Sequence, residues 1–434
     1  MADPSQIAHL LRRSEYVVRP ARFAAFTAAG VTLAAAVDDI LDISPAPVPL
    51  PAYLDNPVAN DQGYPQWVFA TKWWIDRMLD SPKPLQEKMT FFWHGHFTSS
   101  WDKVDQGFVI CRQNRLYRDN AVGNFRNLAQ AMAVEPAMLM YLDNDDNENG
   151  SPNQNFAREL MELFLLGVGN YTETDVEGAA HAWTGYGING GTYTYEFHNE
   201  LHDYSPTTFF DVTKVWTGPG VIDEILLVNA TKRQIAARFI TKKLWEYFAY
   251  QNPSSGLLDA LAPAFAADWN IKSLLRAMFL RPEFYSSEAI NGMVRNPVEW
   301  TVAAMYHAGL RSADTNPQWY LENMGQQPFY PPNVSGWRPN AYWINTSAFG
   351  ARADFARGIT WKLREAHVLD NLPSMSIDQA IDAVATMFGI APLSAPTRSA
   401  LYGYLATQRT TNHNWWQATN MITMAMLAPE MHAV

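Results

Sequence analysis

The chemistry this chain can do must come from a few stretches rich in His, Glu, Asp, Asn and Trp. The first is Trp93-His94-Gly95-His96-Phe97. On a continuous helix, positions i and i+2 point apart. His94 and His96 can therefore share a metal ion only if the helix ends at Gly95. The bland alternative is a histidine held by one structural hydrogen bond. The second stretch is Asn155 to Phe164, NFARELMELF. Glu159 and Glu162 stand at i, i+3 on neighbouring parts of one helix face. Such a pair can ligate a metal or act as general acid and base. Arg158 beside them suits an acidic partner. The alternative is a solvated face, or a buried Arg-Glu network.

Asp145-x-Asn147-x-Asn149-Gly150 matches the first half of a calcium loop, but position 12 is Phe156 rather than a bidentate glutamate. A looser calcium site or an Asx-turn-rich loop fits better. His202-Asp203 sets an imidazole beside a carboxylate, and His181 follows Glu177 by four residues, which reads as a local Glu-His pair. In Pro331 to Trp343, PPNVSGWRPNAYW, the rings of Trp337 and Trp343 beside Arg338 suit sugar stacking and capture of an anionic group. Trp93 joins them as a candidate substrate contact. The chain contains no GxSxG, Walker loop, HExxH or GxGxxG after a strand.

These residues need a framework. Of 434 residues, 48% are hydrophobic and 17% charged, a globular balance. Thirty-two basic residues face 43 acidic ones, a formal charge of -11, which argues against a phosphate-tracking nucleic-acid binder. The single Cys111 excludes an intrachain disulfide framework and a multi-thiolate zinc site. No run of about 18 apolar residues is present, so no membrane-spanning helix is expected. The apolar stretch Phe23 to Val37 leads into Asp38 and Asp39 and reads as part of an N-terminal helix pair, so the expected location is cytoplasmic.

Helical periodicity covers residues 4–42 (with Ser5 as a cap), 66–97, 124–140, 156–169 (capped by Asn155), 174–183 and much of 221–434. Residues 43–65 hold six prolines and read as a meandering connection. Residues 184–220 alternate Tyr, Thr and Phe between glycines, which predicts one β-hairpin. The expected fold class is mainly α: a multi-helix body with a small β-hairpin element and long Pro-, Asn- and Trp-rich loops. We expect one large helical domain over 1–434, with sub-lobes 1–183 and 221–434 around the 184–220 insertion.

The order of HLLRRSEY, KMTFFWHGHF, YLDN, NFARELMELFLLGVGNYTETDV, AWTGY, His202-Asp203, FITKKLWEYFA and PPNVSGW resembles the large bacterial family catalogued as domain of unknown function 1800 (DUF1800). The resemblance covers most of the chain. It implies that His94, His96, Arg158, Glu159, Glu162, His202 and Asp203 are family-typical positions, and it assigns them no role. It also brings in secretion as the alternative location.

The leading expectation is a metal-assisted hydrolase of a glycan or other polar polymer. A divalent ion, zinc or calcium, would be held by His94, His96 and His202, with Asp145, Asn147 and Asn149 as the calcium candidates. Glu159, Glu162 and Asp203 would be the catalytic carboxylates, and Arg158, Trp93, Trp337, Arg338 and Trp343 the substrate contacts. The first alternative is a metal-independent glycoside hydrolase using a carboxylate pair. The second is a non-enzymatic binding or scaffold protein with a buried Arg-Glu-His network.

Overall fold

A computed structural model describes residues 2–43, 48–59, 62–368, 370–411 and 414–434, without the side chains of 414–418. Parts of the proline-rich connection, residues 44–47 and 60–61, lie outside the described residues. The architecture is mainly α, with two small antiparallel hairpins where the sequence predicts one. Tyr186–Asn189 pairs with Thr194–Phe197, and Thr207–Phe209 pairs with Val212–Lys214. The extra hairpin turns at Phe210 and Asp211, both at positive φ, conformations the sequence does not advertise as it does with glycine.

Local boundaries follow capping chemistry, and several differ from the sequence reading. Asp3, not Ser5, caps Pro4–Glu15, by accepting from the Ser5 N–H. Residues 4–42 form three helices, because Pro20 opens Pro20–Thr27 and Thr32 caps Leu33–Leu41. Pro136 starts a new helix, Pro136–Tyr141, rather than sitting inside a longer one. Asn153, not Asn155, caps Gln154–Glu159. That helix then widens into a π-helix over Leu160–Leu165, closed by Leu166 N–H donating to Met161 O, five residues back.

One helix organises the rest. Pro84–His96 is buried at every residue except Gly95. Leu85, Met89, Phe92 and Trp93 belong to one hydrophobic cluster, and Phe91 to a second. A helix apolar on all sides must find internal partners for each polar group it carries. Glu87 accepts from Trp74 Nε1 (3.0 Å), Arg77 Nε (2.9 Å) and both forks of Arg118 (2.9 Å each). Lys88 pairs with Glu299 at 3.0 Å. Trp93 Nε1 donates to Ala121 O at 3.0 Å. No helix among the described residues is long and apolar enough to cross a membrane.

The Pro331–Trp343 loop crosses the C-terminal end of this helix at Gly95. Gly336 has φ +72°, and a Cβ there would sit 2.4 Å from Gly95 O. Only glycine permits both the backbone conformation and the approach. The loop is thereby held against the helix, and the Trp337 ring stacks on Phe91 at 5.6 Å and 11°.

Gly336→Ala is therefore expected to cost about 1–3 kcal/mol in urea unfolding. Gly350→Ala, on an exposed turn of Thr346–Glu365 with nothing within 4 Å of the new Cβ, should be neutral or stabilise by about 0.4–1 kcal/mol. Equal effects at the two positions would refute the close-approach argument.

Candidate functional site

The paired imidazoles do not meet. The helix continues through Gly95 to His96, so positions 94 and 96 point to opposite sides. The His94 ring packs among Trp74, Phe91, Phe329 and Trp337, and its Nε2 accepts from the Phe329 N–H at 3.1 Å. His96 packs against Phe92, Trp93, Phe97 and Phe164, and its Nε2–H donates to Phe164 O at 3.1 Å. Burial alone pushes His94 down to about 3. A single ion shared by His94 and His96 is thus corrected by helix geometry. Among the described residues, no group of three or more His, Cys, Asp or Glu side chains is placed to hold a metal ion.

The carboxylates also fall into separate groups. Glu159 is half-buried, and burial and then the Glu162 charge raise its pKa against the opposing Arg158. Glu162 accepts a short hydrogen bond from Tyr171 Oη. Arg158 is not free for substrate: it makes a bidentate pair with Glu173 at 2.7 and 2.8 Å. Asp203 joins neither glutamate. It takes the His181 Nδ1 hydrogen at 2.5 Å, so His181 pairs with Asp203 and not with Glu177. Burial raises the Asp203 pKa, but the hydrogen bonds from Ser205 and His181 outweigh it and leave the carboxyl below its usual range. His202 donates through Nδ1 to Thr184 O at 2.8 Å, with Nε2 buried and unpartnered.

In the Asn-rich loop the Asn147 side chain is spent internally. Asn147 Oδ1 accepts from Asn153 N–H at 2.8 Å, and its amide donates to Asn144 Oδ1 and Ala180 O. Asn149 N–H donates to Leu201 O at 2.8 Å. Asp145 is half-buried, its carboxyl raised by burial and then by the Asp146 and Asp143 charges. This corrects the calcium-loop reading of Asn147, whose side-chain oxygen already holds a backbone N–H. Trp93, a predicted substrate contact, is fully buried in the core.

What the fold does bring together is His96, Trp337, Arg338 and Trp343. They line a cavity of about 320 Å³ beside the Pro84–His96 helix. Ala230–Phe248 adds Lys243, Glu246 and Tyr247, Pro4–Glu15 adds Arg13, and Pro297–Ala308 adds Glu299. On the central helix, Lys88, Phe91, Phe92 and Gly95 follow i, i+3, i+4, i+7 and form one cavity-facing stripe. The volume suits a small ring-bearing ligand.

The π-helix backs this cavity. Its last-turn carbonyls have no helical partner, and two cavity residues take them: Lys243 Nζ donates to Leu163 O at 3.3 Å, and His96 to Phe164 O. Lys243 therefore stands at the negative end of that helix. Burial pushes its ammonium down to about 8 against the opposing Glu246 charge. Three polar atoms on cavity-lining residues are buried without a protein partner: Arg13 Nε and Trp337 Nε1, both donors, and His96 Nδ1, an acceptor. Arg13, Lys88, Lys243 and Glu299 are the residues that sequence reasoning missed. The available signal was Glu87-Lys88 inside the otherwise apolar run LQEKMTFFW, since a charge on an all-buried helix must face a partner or a cavity.

A family model described as protein of unknown function (DUF1800) matches residues 9–433. No curated protein and no solved structure matches.

Several histidines are held neutral by burial: His9, His94 and His432 at about 3, and His307 at about 4. Each binds a proton in the unfolded chain below its ordinary value of 6.5 but not in the folded one. Stability should fall as pH drops from about 6.5 toward 4, by up to about 1.4 kcal/mol per pH unit for each histidine. His94→Asn, which keeps an acceptor for the Phe329 N–H, should flatten the slope of urea stability against pH by about one such increment. An unchanged slope would contradict the assignment of His94 as buried and neutral.

Proposed function

The chain belongs to this family of unknown function, and from its cavity we propose that it is a hydrolase of a glycan or other polar polymer that works without a His94–His96 metal centre. The observation that carries the reading is the lining of the enclosure: the Trp337, Trp343 and Tyr247 rings stand there beside Lys243, Arg338 and Asn340. Aromatic walls with a few polar side chains suit a small ring-bearing ligand. A sugar-like ring would lie against Trp337, with its hydroxyl groups toward those polar side chains.

Lys243 supplies the chemistry. In its neutral form the amine takes a proton from a water molecule as the water oxygen attacks the scissile centre. The resulting ammonium returns that proton to the departing oxygen. A base with its pKa near the working pH is suited to both steps. His96 stays neutral, because burial and then the Lys243 charge hold it well below its usual range, and its hydrogen bond to Phe164 O fixes that wall of the cavity. Glu159, Glu162 and Asp203 have no place in this scheme.

On a panel of glycan oligomers, Lys243→Met should abolish turnover while leaving binding measurable by calorimetry. Trp337→Ala should weaken binding roughly tenfold, about 1.4 kcal/mol. Wild-type kcat/KM should rise with pH, reach half its maximum near 8 and level off above it, following deprotonation of Lys243. Full turnover by Lys243→Met would remove the catalytic role. Turnover lost in Glu159→Gln, with folding intact, would move the chemistry to the other carboxylate group.

A further inference from the structure

The charges around the cavity do not cancel, and this says what kind of ligand it takes. Four cationic side chains line it, Arg13, Lys88, Lys243 and Arg338, against two carboxylates, Glu246 and Glu299. This excess sits in a chain whose formal charge is -11. Glu299 is committed to Lys88 at 3.0 Å. Glu246 accepts from the Asn252 N–H at 2.9 Å and lies 3.8 Å from Lys242. The other three cations find only neutral partners. Arg13 donates to Ala249 O and Ala289 O at 2.9 and 2.7 Å. Lys243 donates to Leu163 O, and Arg338 lies 5.8 Å from the Tyr342 ring.

Carbonyls satisfy hydrogen bonds but do not neutralise charge. Behind the wall Arg295 repeats the pattern, since it is buried and bonds to Met431 O and Tyr16 O. Burial pushes Arg13 down to about 9 and Arg295 to about 10, with Glu299 the carboxylate that opposes the shift in both. One glutamate therefore answers for Lys88, Arg13 and Arg295. Buried cations in such excess are costly without a counter-anion.

We infer that the cavity's ligand carries an oxyanion, a carboxylate, sulfate or phosphate group on its ring, seated against Arg338 in the positive field of Arg13 and apart from the Lys243 amine. The inference rests on the cavity being the binding site, as proposed above. It adds that the polymer is acidic. Arg338 can offer its guanidinium fork, which matches the planar geometry of an oxyanion, while Arg13, held by Ala249 O and Ala289 O, adds positive charge behind the wall. Trp337, stacked on Phe91, would carry the face of the ring.

The test is calorimetric titration of the full-length chain with glucose, glucuronate, glucose 6-sulfate, and inorganic sulfate and phosphate as free ions. Glucuronate or glucose 6-sulfate should bind at least roughly tenfold more tightly than glucose, and the preference should shrink in high salt. Arg338→Gln, at an exposed position that leaves the core untouched, should reduce the preference severalfold, whereas Arg13→Met tests the buried charge and is read only if its circular dichroism is native. Equal binding of glucose and its acidic counterparts overturns the inference and leaves the cavity reading standing. If inorganic sulfate or phosphate binds as tightly as the acidic sugars, and Trp337→Ala changes nothing, the site takes free ions and the ring reading falls instead. If neither sugars nor ions bind, both fall.

Discussion

The structure depends on a helix with no side facing water. Pro84–His96 runs between the two hydrophobic clusters, and an all-buried helix leaves no place for a polar group to be solvated. Its charges therefore dictate where other elements go. Glu87 recruits Arg77 and Trp74 from Gly63–Asp80 and Arg118 from Gly107–Asp119. Lys88 recruits Glu299 from Pro297–Ala308. Burial raises the Glu87 pKa, but the Arg118 and Arg77 guanidiniums overcome it and keep the carboxylate ionised. Buried ion pairs of this kind add little net stability compared with apolar packing, yet they penalise any arrangement that leaves one partner alone. They fix the register of the surrounding helices.

The same constraint explains the histidines. His-Gly-His on an extended segment would be a plausible metal clamp; on a buried helix it becomes two neutral imidazoles serving different neighbours. His94 accepts the Phe329 N–H and anchors the loop that leads to Trp337. His96 donates to the last turn of the π-helix. The crossing loop needs glycine at 336, where a Cβ would sit 2.4 Å from Gly95 O, whereas a Cβ at Gly95 itself would meet only Trp337 at 3.9 Å. Both histidines of the stretch thus have a packing reason, and two of its five residues, Gly95 and His96, also border the cavity.

Much of the fold was legible because it is written in periods and caps. The helices at 66–97 and 174–183 and the break at Pro82 and Pro84 follow from apolar spacing and proline placement. The site was legible only in part. Trp337, Arg338, Trp343 and His96 were singled out by type, and they do share a cavity. Arg13, Lys243 and Glu299 were invisible because nothing local marks them: Lys243 and Glu299 lie 230 and 286 positions beyond Arg13 and 56 from each other, and the three meet around the central helix. The π-helix was equally hidden. NFARELMELF reads as a regular α-helix, and the register shift at Leu160 accompanies tertiary contacts at its C-terminal carbonyls that no local pattern announces.

The π-helix also suggests why the most recognisable motif of the chain lies outside the cavity and still bears on it. A π-turn widens the helix and re-aims its end, and here that end presents Leu163 O and Phe164 O to Lys243 and His96. Glu162 on the same turn is held outward by Tyr171. On this turn the Glu162 carboxylate is thus engaged by Tyr171, while the carbonyls of Leu163 and Phe164 hold the cavity's lysine and histidine. A change at Glu162 would reach the cavity only by moving this turn, so its effect should pass through the position of Lys243 rather than through lost proton transfer by the glutamate. Side-chain identity drew attention to this segment, but its backbone is what connects it to the site.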